Sequence, residues 1–242
     1  MIKLTDRLQL IADMIETGET MADIGTDHGF LPLSLIESGK SPRVIMCDIS
    51  SPSLDKAREA AAQMGITSGA ECREGDGLVV IGSGEVDAVV IAGMGGLLIT
   101  QILAKDPEKT ASIRKYIFQP RNNAALLRWW LTSNGFEITK NSLVREGKFI
   151  CEVISALTPK SLETGDFGAS GGLLAEEDPS WALPADITSR EEGLDREFAL
   201  LKLAQENKKL EGLKKSKNTD REEIEKAEER MAYFRRFAND RI

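Results

Sequence analysis

The chain has 242 residues, 41% of them apolar, enough for one large domain or a domain with an appendage, and no run of about 18 apolar residues that would cross a membrane. Its formal net charge of −8 speaks against broad nucleic-acid affinity, but the charge is uneven: residues 188–242 carry 14 basic and 13 acidic side chains, the remainder 17 and 26. Cys47, Cys72 and Cys151 are scattered without a CxxC pair and His28 is the only histidine, so a reducing cytoplasm and no metal are expected.

Leu4, Leu8, Ile11, Ala12 and Ile15 recur at helical spacing behind Thr5 or Asp6 as a cap, and the acids Asp6, Asp13 and Glu16 make this stretch unlike a signal peptide. A first strand, TMADIG, follows, then a helix, FLPLSLIESG, stopped at Gly39. RVIMCDIS is a second, almost continuously apolar strand ending in Asp48. PSLDKAREAAAQMG is a helix with Pro52 near its first turn and Gly65 as its stop. AECREGDGL supplies a short third strand and loop, VDAVVIAGMGG a fourth strand running into glycines, and GLLITQILAKD a helix. YIFQP is a fifth strand, NAALLRWWLTSNG a helix stopped by Asn134-Gly135, and FEITKNSLVREGKFICEVISAL a closing antiparallel hairpin. This alternation predicts an α/β domain over residues 1–157, with a mostly parallel sheet buried under helices on both faces. Residues 158–187 are rich in Gly, Pro and Ser and read as a loop or insertion. Residues 188–242 hold two charged helical segments, marked by Leu200, Leu203, Leu210 and Leu213 and by Ile224, Ala227, Met231, Phe234 and Phe237. With KKSKNTD as the turn and Thr219 or Asp220 as a cap, they predict an antiparallel helical hairpin, a two-stranded coiled coil.

Ligands of such sheets lie beyond the carboxyl ends of the strands, where the sequence places Asp23–Gly25, Asp48, Asp76, Gly93–Gly96 and Gln119–Pro120. In DIGTDHG, Gly25 and Gly29 permit a tight turn and a close backbone approach, as in a dinucleotide loop. Asp48, 25 residues after Asp23, can take both hydroxyls of a ribose or serve as an acid at a helix N-terminus. Asp27 breaks the dinucleotide reading, because a carboxylate there repels a pyrophosphate. S-adenosylmethionine has no phosphate; it carries a sulfonium, an ammonium and a carboxylate, so Asp23 or Asp27 can face its cations and backbone N–H groups its carboxylate. Asp76 in EGDGL can accept from the adenine amine or be the turn residue of an Asp-Gly pair. In AGMGG, Gly93 lets carbonyls approach a substrate amine and Met94 can pack on a flat base; the same glycines also suit a plain strand-to-helix turn. In QPRNN, Gln119 and Asn122 can bond a base edge and Arg121 a phosphate, unless the segment is a solvated loop. His28 can simply hold the turn through a hydrogen bond to Asp27.

Taken together, LTDRLQLIADMI, DIGTDHGFLPLSL, CDIS, EGDGL, IAGMGG, FQPRNN and EGKFICEV resemble the bacterial tRNA (adenine-22-N1)-methyltransferases. The resemblance spans Met1 to about Leu157; the helical hairpin also fits that family, whereas residues 158–186 carry no motif of it. It implies a Rossmann-like class I enzyme that methylates N1 of a tRNA adenine and releases S-adenosylhomocysteine. It also implies that Gly25, Asp27, Gly29, Asp48, Asp76, Gly77 and Gly93 line the donor pocket, with Asp23 and His28 of the same loop beside them, and that Arg7 reaches the donor carboxylate from above. N1 has its own lone pair, so no covalent nucleophile is needed, but the base must leave its stack. Methylation places positive charge on the base, which Asp27, helped by the Gly93–Met94 carbonyls, can stabilise; the alternative role for Asp27 is to orient the donor. Lys208, Lys209, Lys214, Lys215 and Lys217 near the hairpin tip, with Arg235, Arg236 and Arg241 near its base, suit RNA phosphates or a merely solvated helical pair. Two other readings stay open: the same donor with a protein or small-molecule acceptor, and an inactive methyltransferase-fold adaptor binding a partner through its coiled coil.

Overall fold

A computed structural model describes residues 2–159, 174–215 and 221–241. The elements are α1 (Asp6–Met14), β1 (Met21–Ile24), α2 (Phe30–Glu37), β2 (Val44–Asp48), α3 (Ser51–Gln63), β3 (Ala70–Glu74), β4 (Ala88–Met94) and α4 (Gly96–Ala104). They continue with α5 (Pro107–Ser112), β5 (Lys115–Pro120), α6 (Ala124–Ser133), β6 (Glu137–Glu146), β7 (Phe149–Leu157), β8 (Thr188–Ser189), α7 (Leu194–Lys215) and α8 (Arg221–Asp240). Local chemistry sets several boundaries. The Thr5 hydroxyl accepts from the Leu8 N–H at 3.4 Å to cap α1, and the Ser50 hydroxyl accepts from the Ser53 N–H at 3.4 Å, with Pro52 in the first turn of α3.

One sheet runs β3-β2-β1-β4-β5-β7-β6-β8. Strands β1–β5 are parallel, β7 runs antiparallel to both β5 and β6, and β8 pairs parallel with β6. Every residue of β1 and β5 is buried, which is why those strands read as apolar runs rather than alternations. One face carries Ile45, Val89 and Phe118 against Ile99 and Leu103 of α4 and Leu127 of α6. The other carries Val44, Val90 and Ile117 against Ile11 of α1 and Leu31 and Leu35 of α2.

The structure adds elements that the pattern does not reveal: α5, a 3-10 turn at Gly77–Val80 and the two-residue β8. Each is too short to show a period. It also shifts the stripe of α7. Leu200, expected at the helix seam, is 44% exposed, while Phe198 and Ala199 are buried. The first turns of α7 pack not only on α8 but also on β6 and the segment before β8: Leu194 and Phe198 share a core with Leu143, Leu183, Ile187, Phe234 and Phe237. A two-stranded seam therefore describes only the outer part of the hairpin, where Leu210 and Ala227 are buried. Of the Gly/Pro-rich segment, residues 174–187 are described; they form a 3-10 turn at Pro179–Trp181 and lead into β8. Thr219 and Asp220, the expected caps of the second helix, lie outside the described residues, as does Lys217.

A buried polar network fastens the helical hairpin to the sheet. Arg128 of α6, 1% exposed, donates to Asn141 Oδ1 at 2.8 Å, to the Trp181 carbonyl at 2.9 Å and to Glu152 Oε2 at 2.7 Å. Lys202 of α7 donates to the other Glu152 oxygen at 3.2 Å. Burial pushes the Glu152 carboxyl up, but Arg128 and Lys202 outweigh it and hold it below the usual carboxylate range. Arg128→Ala leaves a buried carboxylate without its main partner and is expected to destabilise the protein by about 3–5 kcal/mol in urea unfolding; a loss under about 1 kcal/mol would show that the network is not a structural tie.

Candidate active site

The site is built at the carboxyl end of β1. Gly25, at φ +79°, turns the chain so that its N–H and that of Thr26 donate to the Cys47 carbonyl at 2.8 and 3.1 Å. A Cβ at Gly25 would sit 2.5 Å from Met94 Cε, the mobile end of a side chain, so it is the left-handed backbone rather than the space that calls for glycine here. Asp27 follows at φ +47°, a conformation that aspartate tolerates better than most side chains. Its N–H donates to Asp48 Oδ2 at 3.4 Å, while the Ser50 N–H donates to Asp48 Oδ1 at 2.9 Å. Asp48 thus clips the first turn to the end of β2 and still has free lone pairs for a ligand.

A cavity of about 390 Å³ opens over this turn, lined by Thr5 and Arg7 of the N-terminal segment, by Asp23, Gly25, Asp27 and His28, and by Gly93 and Arg121 from the neighbouring strand ends. Asp23 is only 6% exposed. Burial pushes its carboxyl up to about 6; Thr26 offsets part of this, the charge of Asp48 adds to it, and Arg7 opposes it. The Thr26 hydroxyl oxygen is itself buried and makes no well-aligned hydrogen bond. A buried acid with a raised pKa, lining a cavity beside a buried hydroxyl, is a place for a polar ligand.

Arg7 faces the cavity, with its Nε on Glu146 Oε1 and its Nη1 on Gln119 Oε1, both at 3.2 Å. Gln119 Oε1 also accepts from the Gly93 N–H at 3.2 Å. The sequence suggested Gln119 as a base-edge contact; the structure places it inside, 5% exposed, as a strut between Arg7 and Gly93. Met94 lies over the Gly25 turn. Arg121 lines the cavity rim and Asn122 is exposed beside it. His28 Nδ1 and Asp27 Oδ2 are 2.7 Å apart, the turn-holding contact, and Lys56 approaches Asp27 at 3.6 Å. Asp76 and Gly77 line a separate cleft of about 170 Å³, where Asp76 pairs with Lys105 at 2.7 Å. Lys208, Lys209 and Lys215 are exposed on α7, and Lys214 pairs with Glu228 at 2.8 Å.

Sequence reasoning missed one feature of the site. Phe30, Ile49, Val79, Leu97 and Leu98 are each 47% exposed or more, and each stands just past the carboxyl end of one of the strands β1–β4. Exposed apolar side chains gathered at one rim mark a ligand surface. The signal was present in Ile49, an isoleucine directly after the acid that ends β2.

The strand order, with β7 inserted antiparallel, and the acid-lined glycine turn define a Rossmann-like methyltransferase architecture. Comparison with known proteins agrees. Residues 4–154 match the family model described as a methyltransferase domain. The tRNA (adenine(22)-N(1))-methyltransferase of Bacillus subtilis (strain 168) is 36% identical over 169 residues, 70% of this chain and 68% of that protein. The crystal structure of the B. subtilis M1A22 tRNA methyltransferase TrmK matches with a TM-score of 0.78 at 27% identity, covering 98% of this chain and all of that one. M. capricolum TrmK, solved with the cofactor product S-adenosyl-homocysteine, matches in fold with a TM-score of 0.77 at 22% identity, covering 99% of each chain. The chain belongs to the tRNA (adenine(22)-N(1))-methyltransferase family.

The two loops that frame the site are locked by backbone contacts. The Gly96 N–H donates to the Asn122 carbonyl at 2.9 Å and the Arg121 N–H to the Met94 carbonyl at 2.8 Å. A Cβ on Gly96 would sit 2.3 Å from the Asn123 carbonyl oxygen, which is backbone and cannot swing aside. Gly96→Ala is therefore expected to cost about 1–3 kcal/mol in chemical unfolding; an unchanged midpoint would mean that the two loops move apart freely.

Proposed function

We propose that this chain transfers the methyl group of S-adenosylmethionine to N1 of an adenine in tRNA, at position 22, in the cytoplasm. The observation that carries this reading is the acid-lined turn clipped to Asp48 in a chain of this family. The cavity suits the donor chemically: Asp23 for the cationic end and Arg7 for the carboxylate, with Asp48, which holds the turn from beside the cavity, for the ribose hydroxyls. Asp76, in its own cleft with Lys105, and the exposed apolar residues stand past the ends of the same group of strands, where the adenine of the donor would extend. Bound there, S-adenosylmethionine supplies an electrophilic methyl on a sulfonium.

The chain's own residues then have three tasks. Gly93, whose N–H is held by Gln119, keeps the end of β4 open so that the acceptor base can approach the cavity floor. Asp27, exposed at the rim between His28 and Lys56, offers a carboxylate to the base as its positive charge develops. The exposed Lys208, Lys209 and Lys215 of α7, with Arg235 and Arg236 near the base of α8, meet RNA phosphates, which makes binding salt-dependent; Lys214 is paired with Glu228 and Arg241 with Asp195.

Incubation with labelled donor and an unmodified tRNA transcript, followed by nucleoside digestion, is expected to yield N1-methyladenosine, lost when adenine 22 is replaced by guanine. Label on another nucleoside, or none, would contradict the reading. Asp27→Asn is expected to keep donor affinity within about threefold and lose turnover by roughly tenfold to a hundredfold, in the range for removal of one electrostatic group. Wild-type turnover in that variant would leave Asp27 with no part in the chemistry.

A further inference from the structure

A second cleft, of about 500 Å³, opens beside the donor cavity, and Arg121 lines both. Its walls come from three places far apart in sequence: the QPRNN loop with Arg121 and Asn122, the tip of the β6–β7 hairpin with Lys148 and Phe149, and the inner half of α7 with Leu201 and Lys202. Phe149 is 64% exposed and Leu201 44%. Lys148 Nζ stands 5.3 Å from the centre of the Phe149 ring. Lys202, by contrast, is committed to Glu152 at 3.2 Å and to the Phe198 ring at 4.7 Å, so it is part of the wall.

An open aromatic ring at a hairpin tip adds little to the fold and leaves apolar area that a partner can still bury. Here it is flanked by Arg121 and Lys148 in a protein whose net charge is −8. A flat apolar face bordered by cations is chemistry that fits a nucleotide: the ring stacks on a base, which is sequence-tolerant, and the cations meet phosphate. Continuity through Arg121 also fixes which nucleotide. A base drawn into the donor cavity brings its neighbour along the chain to the adjoining cleft, and its own linking phosphate to the side chain that both spaces share.

We propose that this cleft holds the nucleotide next to the methylated adenine, with Phe149 as the stacking platform and Arg121 and Lys148 as the phosphate contacts. This rests on the reading of the chain as a tRNA methyltransferase. Capture of the neighbour removes it from the RNA stack and so keeps the target base extruded, a cost that otherwise falls on the donor site alone.

The test is steady-state methylation of an unmodified tRNA transcript by wild type, Phe149→Ala, Phe149→Trp and Lys148→Ala, with donor affinity measured separately by calorimetry. Phe149→Ala is expected to raise KM for tRNA by about tenfold, in the range for losing one base–aromatic stack, and to leave donor affinity unchanged. Phe149→Trp is expected to restore KM. Lys148→Ala is expected to lower the salt slope of tRNA binding by about one. Wild type that methylates tRNA while Phe149→Ala keeps its KM would overturn the cleft proposal alone. A wild type that binds the donor but methylates no tRNA would overturn the underlying reading, and the cleft proposal with it. A Phe149→Ala variant that loses donor binding as well would also overturn the proposal, because the ring would then be serving the fold.

Discussion

The site depends on one buried carboxylate. Asp23 lies one residue before the end of β1, which is flanked in the sheet by β2 and β4, and it retains only 6% of its surface. A charge in that position is costly unless a cation answers it. Arg7 is near but is already engaged by Glu146 and Gln119. The carboxyl responds by moving up to about 6. Much of the surrounding geometry follows from keeping this acid in place: the left-handed Gly25 directly after the strand, the N–H groups of Gly25 and Thr26 turned to the Cys47 carbonyl, and Asp48 holding Asp27. In the proposed donor complex the missing cation is the ligand's own, which is why the pocket is acidic where a dinucleotide pocket is not.

The appendage is tied to this site rather than hung from it. Arg128 reaches Glu152, Asn141 and the Trp181 carbonyl, and Lys202 reaches the same Glu152 from α7. Tyr233 of α8 donates to the Leu183 carbonyl at 2.8 Å. The inner half of α7 is thereby fixed against the strand hairpin whose tip carries Phe149, and the cleft between them opens next to the donor cavity. A helical hairpin anchored in this way can orient a folded RNA and place one of its bases, which a flexible basic tail cannot do.

Much of the fold was legible in the sequence because its strands are buried on both faces. VIMCD and YIFQP carry their assignment in composition alone, and Thr5, Pro52 and Gly65 mark helix ends by known chemistry. The acids that ring the site were legible too, since each stands where a strand pattern stops. What was hidden depends on contacts between distant segments. Arg128 sits in a helix sequence, LLRWWL, where an arginine reads as a surface residue; only its partners from β6, β7 and the turn at Trp181 make it internal. Leu200 fits a heptad stripe, yet the helix is rotated by its packing on Leu143 and Ile187, elements a two-helix pattern does not contain. Gln119 looked like a ligand contact because it ends a strand, but its oxygen is shared between Arg7 and the Gly93 N–H.

The most direct measurement is the affinity for S-adenosylmethionine as a function of pH, between about 5 and 7, by calorimetry; over this range the donor keeps its sulfonium and most of its ammonium. Arg7, Arg121, Asp48, Asp27 and His28, with Lys56 against Asp27 and the Cys47 thiol beneath, whose proton burial holds, are the other charged or titratable groups around Asp23, so the series is run in a His28→Gln background that removes the imidazole. If a buried Asp23 answers the donor's cation, binding below pH 6 must first drive off its proton, and affinity is predicted to fall by about tenfold between pH 7 and 5. In Asp23→Asn the profile should be flat and weaker at pH 7. A wild-type affinity that does not change over this range, or one that falls equally in Asp23→Asn, would contradict the account.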